Sequence, residues 1–391
     1  MSKAQRNYID LSTLVCVLLL MVASLGVVYS ASSTRSFERT GSSEALMVKH
    51  AIKVLLGFVA IFVFMNIDYR KFKKLTKPVL MGSIGLLLLT LVLGGEVKGA
   101  TRWLRFGGLG LQPSEFAKYA LIFHLCVLIA AKKDRIKDFK TGFMPMMIWI
   151  GLVTALVLLQ PNFSNGAMIF AISLVMLFVG RAKFSHVGLT FAALAPVLIA
   201  YMLSAPYRMR RIIGFFRFAD ETGAKVNHQL WQGIIGFGNG GIFGVGMGES
   251  KQRDYFLPES FGDFVFSIVG EEYGLMGTLF MMSLFLIILL RGFKIAKHAQ
   301  DDFGRMLAIG ITSSVTLYAL INAGVTLGIL PTTGLPMPFV SYGGSSMLFS
   351  SMAVGVLLNI SSQTDLAPRF SIPVMTKRRD VAPAPAVGQV F

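Results

Sequence analysis

The sequence predicts an all-α polytopic membrane protein of about ten transmembrane helices, with a large extracytoplasmic loop between the seventh and eighth. Three observations predict it. The 391 residues are 54% hydrophobic and 15% charged, with a mean hydropathy of +0.65, which is more apolar surface than a soluble domain can bury. Ten uncharged apolar runs recur, at 11–29, 54–67, 78–94, 119–131, 143–160, 166–180, 187–205, 275–290, 306–330 and 345–360. Each approaches, with its flanks, the roughly 20 residues a bilayer core requires. Finally, the net charge of +17 is carried between the runs. Basic clusters at 70–77, 132–140, 181–183, 291–305 and 377–379 fall on one side, which the positive-inside rule makes the cytoplasm. An even number of spans returns the basic C-terminus to the side of the N-terminus, so ten fits where nine or eleven would not. This placement of charge also accounts for the basic balance without a nucleic-acid partner.

Residues 1–10 are a short polar leader. The run after them is long and is followed by a weak Ser-Ala-Ser signal, so it reads as a retained signal-anchor helix. Cys16 and Cys126 lie in apolar runs, where core packing is the expected role rather than a disulfide framework. Residues 32–49 form a Ser-rich external loop, and 94–114 a second one with two turns and a Trp. The largest non-spanning segment, 206–262, is also external, and its half-apolar stretch 226–235 suits a short interfacial or re-entrant helix. The last external loop, 331–344, holds three prolines and a Thr332-Thr333-Gly334 turn. Residues 1–361 thus make a single transmembrane domain, and 362–391 a disordered basic cytoplasmic tail. Arg102, Arg105, Arg208, Arg210, Arg211 and Arg217 fall in loops assigned outside, against the rule, which points to a bound anion.

The motif-bearing stretch is 236–277. Gly236-Phe237-Gly238-Asn239-Gly240-Gly241 matches a dinucleotide-binding spacing, but no βαβ unit surrounds it. Its glycines serve either close packing and tight turns or backbone approach to a ligand phosphate. There is no Walker A sequence and no Asp-x-Asp pair. His50, His124, His186, His228 and His298 are scattered, without metal spacing. Asp263 follows Pro258-Glu259-Ser260-Phe261-Gly262, a helix start that places it at the outer membrane interface. An acid in that setting costs roughly 2.5–3.5 kcal/mol. It could complement the helix dipole; a general base is the favoured reading. Glu271 lies roughly 12 Å further along the helix, beyond the roughly 10 Å of paired glycosidase carboxylates. Glu271 and Glu272 therefore read as structural, paired with a cation from another span, with Lys118 the leading candidate. In Gln112-Pro113-Ser114-Glu115-Phe116-Ala117-Lys118, another helix start, Glu115 and Lys118 share a face. They form either a local ion pair or leave Lys118 to bind phosphate in an external cavity. Thr101-Arg102-Trp103-Leu104-Arg105 is either an interfacial anchor or a place where a ring stacks on sugar and Arg clamps pyrophosphate.

These residues, in this order, resemble the SEDS family (shape, elongation, division and sporulation), the FtsW/RodA glycosyltransferases. The matching pieces are Lys98-Gly99-Ala100-Thr101-Arg102-Trp103, Gln112 to Lys118, Gln160-Pro161, Tyr207-Arg208 with Arg211, Gly240 to Gly246, Leu257-Pro258-Glu259, Asp263 to Phe266, Glu271-Glu272 and Pro338 to Ser346. The resemblance covers nearly the whole chain. It implies a peptidoglycan polymerase in the bacterial inner membrane, with cytoplasmic termini and an extracytoplasmic active site. Its substrate would be lipid II, a disaccharide-pentapeptide on undecaprenyl pyrophosphate. Asp263 is implied as catalytic, and Arg102, Trp103, Lys118, Arg208, Arg211, Glu259 and Ser341 as substrate-binding. A class B penicillin-binding protein transpeptidase is the expected partner, with other divisome membrane proteins. A divalent cation, Mg2+ or Mn2+, is the expected cofactor, its identity not fixed by the residues. The sequence departs from the family twice: Phe261-Gly262 replaces the usual His-Thr before the catalytic Asp, and Asn162 replaces the acid of Gln-Pro-Asp. The Ser-rich first loop and extended tail look more like the FtsW division members than the RodA elongation members. A lipid II flippase and a scaffold that recruits a transpeptidase are the competing functions.

Overall fold

The computed structural model describes residues 9–97, 100–106, 109–203, 209, 213–216, 228–255, 257 and 260–364. The described residues are helical almost throughout. Helix α1 spans Leu11–Thr40; the Asp10 side chain caps it by accepting the Thr13 N–H, and Gly41 ends it in the left-handed region. Helix α2 is Ala45–Asn66 and α3 is Tyr69–Leu93, capped by Asp68. Helix α4 is Pro113–Lys132, with the expected Pro start. Helices α5 (Met144–Leu159), α6 (Phe163–Val179) and α7 (Phe184–Leu203) follow. The shorter helices α8 (His228–Gly240) and α9 (Lys251–Tyr255) come before α10 (Val265–Lys297), α11 (Asp302–Thr326) and α12 (Gly344–Ser361). Among the described residues, 8 helices are long and apolar enough to cross a membrane, and α6 and α7 are shorter apolar helices. Each of the ten apolar runs falls on one of these ten helices.

Polar contacts sort the helix ends into two sets. At one, Asp10 holds Arg291 of α10 while its N–H donates to Ser361 Oγ of α12 at 2.9 Å. Asn359 Oδ1 accepts the Tyr69 N–H at 2.9 Å, Gln363 reaches Asp68, and Tyr69 Oη donates to Asp301 at 2.7 Å. Ser362, Gln363 and Thr364 are buried here; the rest of the expected tail, 365–391, lies outside the described residues. The opposite end gathers the α1 C-terminus, the α3–α4 and α5–α6 connections, the entry to α10 and the α11–α12 loop. That alternation is what an up-and-down helical bundle requires. Close approach helps it: a Cβ on Gly355 of α12 would sit 2.8 Å from the Ile61 carbonyl of α2.

Residues 94–114, expected to be an external loop with two turns, contain a three-stranded antiparallel sheet: β1 Gly95–Val97, β2 Ala100–Phe106 and β3 Leu109–Leu111. Trp103 pairs with Gly95, and Leu104 with Leu111. The sequence between the strands, Lys98-Gly99 and Gly107-Gly108, has hairpin-turn composition.

Helix α10 is broken at Gly274 (φ 65°, ψ −161°). The break frees backbone groups on both sides, and the loop after α8 satisfies them. Val245 and Gly246 donate N–H bonds to the carbonyls of Glu271 and Glu272 at 2.9 and 3.1 Å, and Leu275 and Met276 donate to Gly241 and Ile242 at 2.9 and 3.1 Å. Gly233 lies against Phe264 and Gly240 against Gly270, so α8 descends alongside α10 and the chain turns back at the break. Non-helical backbone survives at membrane depth only when buried in protein or lining a water-filled cavity, and here four backbone bonds tie it to the returning loop. The glycine-rich motif is therefore packing: a Cβ at Gly240 would meet the Gly270 carbonyl at 2.0 Å, and one at Gly244 the Glu272 carbonyl at 2.1 Å.

Candidate active site

Asp263 lies in the turn before α10, which begins at Val265 rather than at Pro258. The turn is fixed by backbone groups. Asn322 Nδ2 of α11 donates to the Asp263 carbonyl at 2.8 Å and to the Leu335 carbonyl at 2.8 Å. Ser260 Oγ donates to Ala31 of α1 at 2.8 Å, and the Tyr342 N–H to Phe261 at 2.9 Å. The Asp263 side chain is half-buried and faces the Thr332-Thr333-Gly334 turn, with Oδ2 3.5 Å from where a Gly334 Cβ would lie. Where the family has His, Phe261 packs edge-on against Tyr342, centroids 5.4 Å apart.

Arg102 and Trp103 sit on β2. Arg102 Nη2 donates to the Pro161 carbonyl at the α5–α6 turn. Trp103 packs on Gly110, whose carbonyl accepts Ser345 Oγ of α12 at 3.3 Å. Ser164 Oγ donates to Thr333 at 2.6 Å, joining α6 to the turn that faces Asp263. Arg102, Trp103 and Asp263 thus belong to one end of the bundle. Arg208, Arg211 and Glu259 lie outside the described residues. Ser341 is buried and its hydroxyl accepts the Met337 N–H at 2.8 Å, closing a turn.

Lys118 is 2% exposed and pairs with Glu115, 1% exposed, at 2.8 Å. Its ammonium also lies 3.9 Å from the Tyr318 ring centroid and 4.8 Å from that of Tyr119. Tyr318 Oη donates to Asn165, and Asn165 and Asn162 reach Ser114. Asn162, where the family has an acid, is thus a hydrogen-bond donor in this buried network. Lys118, the cation expected from another span, does not pair with Glu271 or Glu272. Glu272 takes Arg253, 3.8 Å away, and the Ser30 hydroxyl; Glu271 takes Ser250 Oγ, Asn239 Nδ2 at 3.2 Å and the Gln252 N–H at 3.3 Å. The reason is local. Both carboxylates flank the α10 break, where the returning loop supplies donors.

An apolar cavity of about 240 Å3 opens between α2, α3, α4 and α12, lined by Phe64, Phe72, Phe116, Phe123 and Met352 among others. Sequence reading passed over Lys53 of α2, whose ammonium lies 3.4 Å from the Tyr342 ring centroid. It borders an apolar run, and the only signal was a charge at a span's edge. Among the described residues no group of three or more His, Cys, Asp or Glu side chains could hold a metal ion.

Residues 10–366 match the FtsW/RodA/SpoVE cell cycle protein family. The chain belongs to this family. It is 39% identical over 362 residues to the probable peptidoglycan glycosyltransferase FtsW of Geobacter metallireducens, covering 92% of this chain and 96% of that one. It is 36% identical over 356 residues to the stage V sporulation protein E of Bacillus subtilis, covering 90% and 96%. Among solved structures, a chain of a peptidoglycan synthase complex that coordinates polymerization and crosslinking superposes with a TM-score of 0.76 at 24% identity, covering 90% of this chain and 97% of that one. The rod shape determining protein RodA of Thermus thermophilus gives 0.65 at 24% identity, over 90% and 96%. At that identity the structural likeness speaks for the fold: the polytopic helical architecture is shared.

Proposed function

We propose that the chain is a peptidoglycan glycosyltransferase of the division type, which polymerises glycan strands from lipid II with Asp263 as general base. The observation that carries the reading is the setting of Asp263. Its backbone is fixed by Asn322, and its half-buried side chain stands at the bundle end that also holds Arg102 and Trp103. Strong sequence similarity to relatives named as FtsW glycosyltransferases supports the reaction class.

In this reading the acceptor hydroxyl loses its proton to Asp263 as it attacks the anomeric carbon of the donor. The C–O bond to the diphosphate breaks as the new glycosidic bond forms, and the leaving diphosphate carries off the electron pair. One carboxylate acting as base, with no covalent intermediate, gives inversion. Arg102, on β2 at that end, is a described cation that would offset charge on the diphosphate; Arg208 and Arg211 join it by resemblance. The cavity lined by Phe64, Phe72 and Phe123 suits a polyprenyl tail. The described donor set does not fit a protein-held metal, so no step runs through one, and any Mg2+ or Mn2+ would enter with the diphosphate. Lys118 belongs to the scaffold, since its charge is already met by Glu115. The basic Asp10 end faces the cytoplasm and the Asp263 end the outside. A class B penicillin-binding protein is the partner, consistent with the synthase complex among the solved neighbours.

The test is glycan-strand synthesis from purified lipid II by Asp263→Asn in complex with that partner. Loss of roughly a hundredfold or more is expected of a missing base, with folding and partner binding retained. Near-normal polymer would return the question to transport or scaffolding.

A further inference from the structure

A cation in a membrane helix needs a counter-charge, and Lys53 has none among the described residues, where no carboxylate lies within ion-pair distance of it. Instead its ammonium sits over Tyr342, and its stem runs along Gly344, where a Cβ would meet Lys53 Cε at 3.3 Å. Lys49, exposed, is one turn away on the same helix. Gly344 is the first residue of α12. The residue before it, Gly343, gives no side-chain cap, so the opening N–H groups of this helix add positive character beside Lys53. In the same first turn Ser346 Oγ is buried without a hydrogen-bond partner among the described residues, and Ser346 itself is 6% exposed.

The place is also close to the chemistry. Tyr342 donates its N–H to Phe261, two residues before Asp263, and packs on the Phe261 ring. Ser345, next in the turn, ties α12 to the strand on which Trp103 packs. We infer that Lys53 and the uncapped start of α12 form an anion seat for a lipid-borne phosphate, placing the donor's diphosphate on the α2 side of Asp263. The seat rests on the glycosyltransferase reading and adds a binding residue to it. Two sources carry the chemistry, a polyprenyl diphosphate and a bilayer phospholipid headgroup. The short ring chain from Lys53 through Tyr342 to the Asp263 turn favours the first.

The full-length protein in phosphatidylcholine nanodiscs is titrated with undecaprenyl diphosphate. Lys53→Gln is expected to weaken binding by about tenfold to a hundredfold, as loss of a charge-assisted contact does, while Lys53→Arg stays within about threefold of wild type. Undecaprenol, lacking phosphate, should bind both proteins equally. Since Lys53→Gln could misfold, the wild type provides a second measure: bound undecaprenyl diphosphate should protect Lys53 from an amine-reactive reagent, read by mass spectrometry. Unchanged affinity in a folded Lys53→Gln, or no protection, overturns the seat. So does equal protection by phosphatidylglycerol, which would make it a headgroup site. Asp263→Asn separates the two readings. If it polymerises normally while Lys53→Gln binds poorly, the catalytic assignment fails and the seat stands.

Discussion

Replacing Gly244 by Ala strikes the joint between the returning loop and the broken helix. Gly244 has φ +84°, and an added Cβ would lie 2.1 Å from the Glu272 carbonyl oxygen. That neighbour is backbone, so no side chain can swing aside. The loop must retreat and give up the Val245 and Gly246 bonds to Glu271 and Glu272. Left-handed backbone costs a non-glycine residue about 1–2 kcal/mol, and each buried peptide group left unpaired about 1–3 kcal/mol. The loss is thus about 3 kcal/mol or more. Gly238, in the same motif but with nothing within 4 Å of its added Cβ, is the control: Gly238→Ala should be neutral or stabilising by about 0.5–1 kcal/mol within a helix. The assay is the melting midpoint of detergent-solubilised protein, with Gly244→Ala several degrees below Gly238→Ala. Equal midpoints for the two variants would refute the stitched break and return these glycines to ligand binding.

Three other outcomes are expected. Lys118→Met leaves the Glu115 carboxylate buried and alone, costing about 3–5 kcal/mol; adding Glu115→Gln should recover much of it, and strictly additive melting losses would refute the pairing. Burial opposes ionisation of Asp10, but Arg291 and the Thr13 hydrogen bonds outweigh it and hold the carboxyl below its usual value. Its stabilisation is therefore full above about pH 4 and shrinks as pH falls further. The gap in melting midpoint between wild type and Asp10→Asn should close in acid, and a gap independent of pH would contradict this. With Cys16 and Cys126 both buried, an impermeant thiol reagent applied outside should label Ser42→Cys and spare Arg135→Cys; the reverse would invert the orientation.

Much of the bundle was legible because membrane spans announce themselves by unbroken apolar length. The run at 275–290 captured only the second part of α10, because Glu271, Glu272 and Gly274 interrupt the pattern where the fold replaces hydrophobicity with hydrogen bonds. The small sheet was missed because three short strands carry little periodicity, and even Ala100–Phe106 breaks the alternation at Thr101-Arg102 and Trp103-Leu104. Glu115 was found as the neighbour of Lys118 since they stand three positions apart on a helix. Arg253 as the partner of Glu272 was not, because a loop that folds back leaves no spacing to read. Asp263 stood out by its cost in an apolar setting, whereas Lys53 sat at a run's edge and looked like a boundary.

The stitched break in α10 bears on how this helix enters the membrane. Residues 275–297 are long enough to cross a bilayer unaided, about 35 Å at 1.5 Å per residue. The insertion machinery therefore need not partition Glu271 and Glu272 into lipid at all. Those carboxylates are accommodated afterwards, when Ser250, Asn239, Arg253 and Ser30 have closed around them. Insertion of the apolar half and assembly of the Asp263 half are separable steps, the second waiting on the loop that precedes it in the chain. Substitutions in that loop should then yield protein that is inserted and full-length but incompletely assembled around the Asp263 turn.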